Sequence, residues 1–161
     1  MGLAWNRIYF WEHGPERALR FAREHPRRSA VRTPAVVGAL IQLGTCLDLL
    51  DTHHTAALSE GYRLWSGLLA ASGRPLPRNT GQPPYYKVRR LDAALLNWFL
   101  AYMASQGTQF DTVRAAFAEG EPVCPGSGLY REHHIQVAVR NPECILGVFR
   151  PSTFGPTRRP P

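Results

Sequence analysis

The sequence has few of the features that mark secreted or membrane proteins. Its 161 residues include only three cysteines, an odd number, so we expect no disulfide scaffold and a reducing, cytoplasmic location. It has no run of about 18 apolar residues, so we expect no membrane span. The start of the chain lacks a basic segment followed by an apolar one, so we expect no signal peptide. Glycine-rich loops of the kinds that bind nucleotide phosphates are also missing.

Lysine is nearly absent, and arginine supplies almost all of the positive charge behind the net value of +7. The charge is uneven along the chain. Residues 1–32 hold seven arginines against three glutamates, and residues 150–161 hold three arginines and no acid. Basic ends of this kind are often only solvated, but they can also attract nucleic acid. A basic nucleic-acid-binding module is therefore one alternative for the function.

A change of hydrophobic period near the start of the chain predicts a strand followed at once by a helix. Residues 8–11 form an apolar, aromatic run that is typical of a strand. Residues 13–16, His-Gly-Pro-Glu, are typical of a helix N-terminus. Apolar residues then recur at helical spacing until Pro26 ends the helix. Such a turn exposes polar groups of both elements together, which makes it a place to look for a site.

The rest of the chain mixes strands and helices without the regular alternation of a doubly wound sheet, which predicts an α+β fold. We expect one domain over residues 1–150 and a flexible tail rich in proline and arginine over 151–161. We predict a central strand over 35–44, helices from about 52 to 72 and 88 to 106, strands over 110–117, 134–140 and 144–149, and loops over 73–86 and 118–132. Two helix stripes are assigned to the core. They are Leu58-Tyr62-Trp65-Leu69 with Leu64 and Leu68 beside it, and Leu91-Leu95-Trp98-Tyr102 widened by Ala94, Phe99 and Met103.

A metal site and a cysteine nucleophile both find little support in the sequence. Cysteines and histidines near the last long strand could approach one another, namely Cys124, His133, His134 and Cys144. However, the chain has no Cys-x-x-C pair, and neighbouring histidines on a strand point to opposite faces. We therefore predict no metal site. No signature identifies a base beside any of the cysteines either.

Two sets of polar residues at predicted strand ends are better candidates for a site. The first set is Tyr9 and Glu12, and the second is Glu119, Glu121, Glu132 and Gln136. A glutamine inside an otherwise apolar strand is the least ordinary member of these sets.

In this order the two sets resemble motifs of ADP-ribosyltransferases of the diphtheria-toxin and poly-ADP-ribose-polymerase type. Residues 8–12, IYFWE, are similar to the second motif of that family, GIYFAD. Residues 136–145 match the frame of its third motif, E-x-x-V-x-[DN]-x-x-Q-[IV], with Gln136 where the family has glutamate. The stretch over 110–150 also looks like a bacterial group of uncharacterised or toxin-like members.

The resemblance implies a split, mixed or antiparallel sheet with helices packed on it. It also implies transfer of ADP-ribose from NAD, the substrate, to a protein or nucleic-acid acceptor, in a bacterial toxin or defence effector. The residues that it assigns to the NAD pocket are Tyr9, Phe10, Ala18 and Phe21. It assigns catalysis to Tyr9, which would stack on nicotinamide, to Gln136, which would bind the ribose, and to a loop carboxylate, Glu121 or Glu132, which would stabilise positive charge.

The chain departs from the family pattern at its start. The first motif of the family, His-Gly-[TS], precedes the tyrosine strand by some tens of residues, but only eight residues precede Tyr9 here. Asn6 and Arg7 replace the glycines that the family has before the tyrosine strand. We therefore expect a domain that is incomplete at its N-terminus, with an exposed sheet edge that favours a homodimer. A catalytically degenerate member that binds a nucleotide or a partner is the second alternative.

Overall fold

The structure, a computed structural model, describes residues 8–24, 33–81 and 88–151. Its elements in chain order are β1 (Ile8–Glu12), α1 (Pro15–Glu24), β2 (Gly38–Ile41), β3 (Cys46–Asp48), α2 (Thr52–Ala71), α3 (Arg90–Ser105), β4 (Thr112–Phe117), β5 (His134–Val139) and β6 (Ile145–Phe149). The predicted α+β class is confirmed. Asn6, Arg7, Pro26 and all of the predicted tail except Pro151 lie outside the described residues. None of the described helices is both long and apolar enough to span a membrane.

Four strands form a mixed sheet in the order β1-β5-β4-β3. The first two pairings are antiparallel, and β4 and β3 are parallel. Trp11 on β1 lies directly beside Gln136 on β5. Because side chains alternate along a strand, Tyr9, Trp11 and Gln136 share one face, and Phe10 and Glu12 lie on the other. The outer strands of the described sheet are β1 and β3, and a dimer through a sheet edge stays a prediction.

The predicted central strand over 35–44 is wrong in both length and position. Only Gly38–Ile41 form a strand, and this strand pairs with β6 in a separate two-stranded antiparallel ribbon. Ile41 and Ile145 pack against the second face of the main sheet, whereas Leu40 and Val148 are 64% and 68% exposed. The apolar run therefore reflects pairing within a partly exposed ribbon, and not burial on both faces.

Helices α2 and α3 pack on the sheet face that carries Tyr9 and Gln136. Trp65 and Leu69 of α2 are buried, as their stripe predicts. The stripe predicted for α3 is confirmed in part, because Phe99 is buried and Trp98 and Met103 pack against the core. It is wrong in omitting Leu96 and Leu100, which are buried, and in including Tyr102, which is exposed. The Trp98 and Tyr102 rings stack on each other at 5.2 Å on the flank of the helix, and Trp98 lies 6.4 Å from Trp65. Trp98 thus both packs against the core and stacks on Tyr102, whereas Tyr102 is held mainly by stacking.

Candidate functional site

The predicted turn from strand to helix is confirmed, and it brings α1 back onto β1. His13 takes a positive φ of 54°, a conformation in which histidine is enriched among residues other than glycine. Pro15 begins the helix, and the Ala18 N–H donates to the Gly14 carbonyl at 3.0 Å. The Phe21 ring lies 4.8 Å from Trp11 as a result.

Aromatic rings from four elements meet at the end of this sheet face. The Trp11 and His134 rings are 6.4 Å apart, and His134 stacks on Phe117 at 5.6 Å. The guanidinium of Arg89 lies 4.7 Å over the Phe117 ring. We call Trp11, Phe21, Phe117 and His134 the aromatic cluster. The Trp11 indole N–H within it is buried and has no hydrogen-bond partner among the described residues.

The histidine of the aromatic cluster is hydrogen-bonded through both ring nitrogens. Nδ1 of His134 lies 2.7 Å from the Glu132 carbonyl oxygen, and Nε2 lies 3.1 Å from Nε2 of Gln136. A carbonyl only accepts, so the ring proton of neutral His134 lies on Nδ1. Burial lowers the pKa of His134 below its ordinary value of 6.5, which favours this neutral form.

Carboxylates at the rim of the aromatic cluster are paired with arginines of α1. Arg17 bonds to Glu119 through Nη2, and its Nε lies 3.5 Å from an oxygen of Glu132. Arg20 pairs with the other oxygen of Glu132. The Arg17 side chain is only 15% exposed, so these contacts tie α1 firmly to the loop that precedes β5.

The predicted loop over 118–132 has an internal backbone ladder, although it contains no named strand. Glu132 donates to the Glu119 carbonyl at 3.0 Å, and Arg131 donates to the Glu121 carbonyl at 2.9 Å. Glu121 therefore lies one rung further from the sheet than Glu119, and it is exposed. None of the described arginines forms an ion pair with the carboxylate of Glu121.

The structure brings some of the predicted site residues together and separates others. Tyr9 and Gln136 share a sheet face, and Phe21 reaches that face through its contact with Trp11. Phe10 packs on the opposite face, against the cluster of Val137 and Val139. Ala18 lies on α1, one turn after Gly14, and Glu121 lies out on the loop.

Sequence reasoning missed Trp11 as part of this face and considered His134 only as a metal ligand. The signal for both was present in the strand period. Trp11 has the same parity as Tyr9 along β1, and His134 has the same parity as Gln136 along β5. Among the described residues, no group of three or more His, Cys, Asp or Glu side chains could hold a metal ion.

An arginine on the second face of the sheet joins three strands. Arg114 of β4 donates to both oxygens of Glu12, at 2.8 and 3.2 Å, and to Asp48 of β3 at 2.9 Å. The hydrogen bond from Arg114 lowers the pKa of Glu12, and the pKa of Arg114 is raised in return. A cavity of about 320 Å³ opens beside this group, at the strand ends, and is lined by Glu12, Ala116, Phe117, His133, His134 and Ile135.

The lowered pKa of His134 has a consequence for stability in mild acid. The unfolded chain takes up this proton at a higher pH than the folded chain, so stability falls as the pH drops below about 6.5. We expect His134→Phe, which keeps a stacking ring, to weaken this dependence in urea denaturation at pH 7.5, 6.5 and 5.5. His133→Phe, at an exposed neighbour, is the control. Equal pH dependence in wild type and His134→Phe would contradict this.

The sheet face that carries Tyr9 and Gln136 brings several kinds of side chain together. The face combines aromatic rings from β1 and α1 with a neutral imidazole and a primary amide, and paired carboxylates line its rim. The chain matches no protein-family model, no curated protein and no solved structure.

Proposed function

We propose that this chain transfers ADP-ribose from NAD, its substrate, to a protein or nucleic-acid acceptor. One observation carries the proposal: Tyr9, Trp11 and Gln136 share a face of two paired strands, with Trp11 directly beside Gln136. Tyr9 and Gln136 are the residues to which the resemblance to ADP-ribosyltransferases assigns the nicotinamide and ribose contacts. Helix α1 follows β1 at once, as in the family motif.

The aromatic residues at the Trp11 end of this face, beyond the part that α2 and α3 cover, are proposed to hold the nicotinamide, and Tyr9 packs partly against the core there. Trp11 stands where the family motif has alanine, so the flat surface beside Gln136 is larger than the resemblance alone implies. The buried Trp11 N–H is a donor for an acceptor atom of the ligand. A buried donor without a partner costs about 1–3 kcal/mol, so a ligand that bonds to it gains affinity.

The reaction breaks the bond between nicotinamide and ribose. Nicotinamide leaves with the bonding electrons, positive charge develops on the ribose, and a nucleophilic atom of the acceptor bonds to the ribose carbon and loses its proton. Gln136 accepts a hydrogen bond from a ribose hydroxyl. Because an amide has no full negative charge, it stabilises the transition state less than a carboxylate does.

A carboxylate from the loop over 118–132 supplies the missing negative charge in this proposal. Glu119 and Glu132 are already neutralised by Arg17 and Arg20. Glu121 is exposed and has no arginine partner among the described residues, so we assign the unneutralised charge to it.

The sharpest test is to restore the carboxylate that the family has at position 136. We expect Gln136→Glu combined with His134→Phe, which removes the ring lone pair that would face the new carboxylate, to raise transfer of label from NAD by about tenfold, because a negative charge beside the ribose stabilises the developing positive charge. We expect Gln136→Ala and Tyr9→Ala to lower it by about tenfold or more. The assay follows nicotinamide release and labelling of lysate protein or RNA.

Gln42→Ala is the matched control, because Gln42 is exposed and lies after β2, away from this face. It should leave transfer unchanged. Label transfer that persists in Tyr9→Ala, Gln136→Ala and Glu121→Ala would contradict the site assignment. A wild type that neither releases nicotinamide nor binds NAD would contradict the proposed function and favour a catalytically degenerate protein.

A further inference from the structure

We propose that His134 is a positioning residue that turns the side-chain amide of Gln136 so that its oxygen, Oε1, is offered to a ligand hydroxyl. Protonation of His134 reverses this amide and withdraws the acceptor. The inference rests on the proposed function, because the hydroxyl in question is that of the NAD ribose.

The ring proton of neutral His134 lies on Nδ1. Nδ1 lies 2.7 Å from the Glu132 carbonyl oxygen, which can only accept a hydrogen bond. Nδ1 therefore carries the proton of the neutral ring, and Nε2 keeps its lone pair. The group 3.1 Å from Nε2 must then be a donor, and this requires the NH₂ end of the Gln136 amide.

The side-chain amide of Gln136 has a donor end, NH₂, and an acceptor end, Oε1. Once the NH₂ group of Gln136 is bonded to His134, Oε1 points away from the ring as an acceptor. This is the hydrogen-bonding role that a carboxylate oxygen has toward a ribose hydroxyl. The histidine thereby makes the glutamine imitate the acceptor half of a glutamate.

Neighbouring side chains and a backbone carbonyl hold the imidazole ring of His134 in place. His134 stacks on Phe117 with an angle of 21° between the rings, and it contacts Trp11 at 6.4 Å. The Glu132 carbonyl fixes its other edge. A ring fixed in this way orients the amide before any ligand arrives, which reduces the entropy cost of binding.

Protonation of His134 changes Nε2 from a hydrogen-bond acceptor to a donor. His134 with both nitrogens protonated is a donor at Nε2, so the amide must turn to place Oε1 against it and present NH₂ to the ligand. Burial lowers the pKa of His134, and Glu119 and Glu132 raise it while Arg17 lowers it. Among the described residues, the charged and titratable groups near the ring are Arg17 of α1, Arg89 over Phe117, Glu119 and Glu132 of the loop, and Glu12 and His133 at the cavity.

The test measures the affinity for NAD by calorimetry at pH 7.5 and at a pH at which NMR shows His134 to be protonated. We expect the wild type to bind about fivefold more weakly at the lower pH, the effect of one lost hydrogen bond. His134→Phe keeps the stacking ring but frees the amide, so it should bind about fivefold more weakly at pH 7.5 and show no further loss at the lower pH. His133→Phe should keep the pH dependence of the wild type.

A second measurement does not depend on NAD. Nitrogen-15 NMR of the unliganded protein should find the His134 proton on Nδ1 at pH 7.5, and the Gln136 side-chain NH₂ signals should shift as His134 titrates. A proton on Nε2, or NAD binding by His134→Phe with the pH dependence of the wild type, would overturn the inference. The expected NMR result with no NAD binding would instead support the amide orientation and contradict the proposed function.

Discussion

Arg114→Met is expected to lower the free energy of unfolding by about 2 kcal/mol. Within the described parts of the chain, Arg114 is the cation that pairs with both Glu12 and Asp48, and all three side chains are only 20–30% exposed. Without it, two carboxylates on the same sheet face lose their counter-charge. Removing one partner of a fully buried pair costs about 3–5 kcal/mol, and residual solvent access here reduces that cost. Urea denaturation at pH 7 measures it.

Two further variants separate the loss of charge from the loss of packing. The triple variant Glu12→Gln, Asp48→Asn, Arg114→Met should recover much of the stability, because the uncompensated charges are gone. Arg63→Met removes the exposed pair with Glu60 and should change stability by no more than about 0.5 kcal/mol. Equal losses in Arg114→Met and Arg63→Met would contradict the role given to this arginine.

The same ion pair predicts how the protein responds to acid. The hydrogen bond from Arg114 lowers the pKa of Glu12 below its ordinary value of 4.5. The stability it contributes is present above that value and is lost as the pH falls through the lowered, folded-state pKa. The denaturation profile of Arg114→Met below pH 4.5 should therefore be flatter than that of the wild type.

Gly61→Ala is expected to destabilise the protein by about 1 kcal/mol, although alanine is the better helix former. Gly61 is buried in the middle of α2, where an added Cβ would lie 2.6 Å from a ring carbon of Phe99 on α3. Overpacking of a core costs about 1–3 kcal/mol, and the gain in helix propensity is about 1 kcal/mol at most. Thermal denaturation followed by circular dichroism measures the net loss.

Gly67→Ala is the matched control in the same helix. A Cβ at Gly67 would meet nothing within 4 Å, and this residue is exposed. Only the propensity gain operates there, so we expect stabilisation of up to about 1 kcal/mol. Shifts of the same sign in Gly61→Ala and Gly67→Ala would contradict the close approach of α2 and α3.

Hydrophobic period alone predicted most of the elements. The change of period after residue 12, the stripe of α2 and the alternation along β5 each appear in the structure where the sequence puts them. These signals are local, and a short window contains all of the information that they need. The ribbon of β2 and β6 was mispredicted because an apolar run does not reveal which strand will pair with it.

The contacts that shape the candidate site could not be read from the sequence for a related reason. Arg17 and Glu119 are 102 residues apart in the chain, and so are Glu12 and Arg114. Charge pairing over such separations depends on the strand order, and no local pattern encodes that order. The place of Gln136 opposite Trp11 likewise follows only once β1 is known to pair with β5.

The strand order also dictates when the sheet can form during synthesis. Ile8 pairs with Val139, so β1 must remain without its neighbour until β5 has left the ribosome. The helical pair α2 and α3 is close in sequence and can associate long before that. Until the sheet closes, the nascent chain carries an aromatic strand with both edges open, which is the kind of segment that chaperones bind and that aggregates when they are absent.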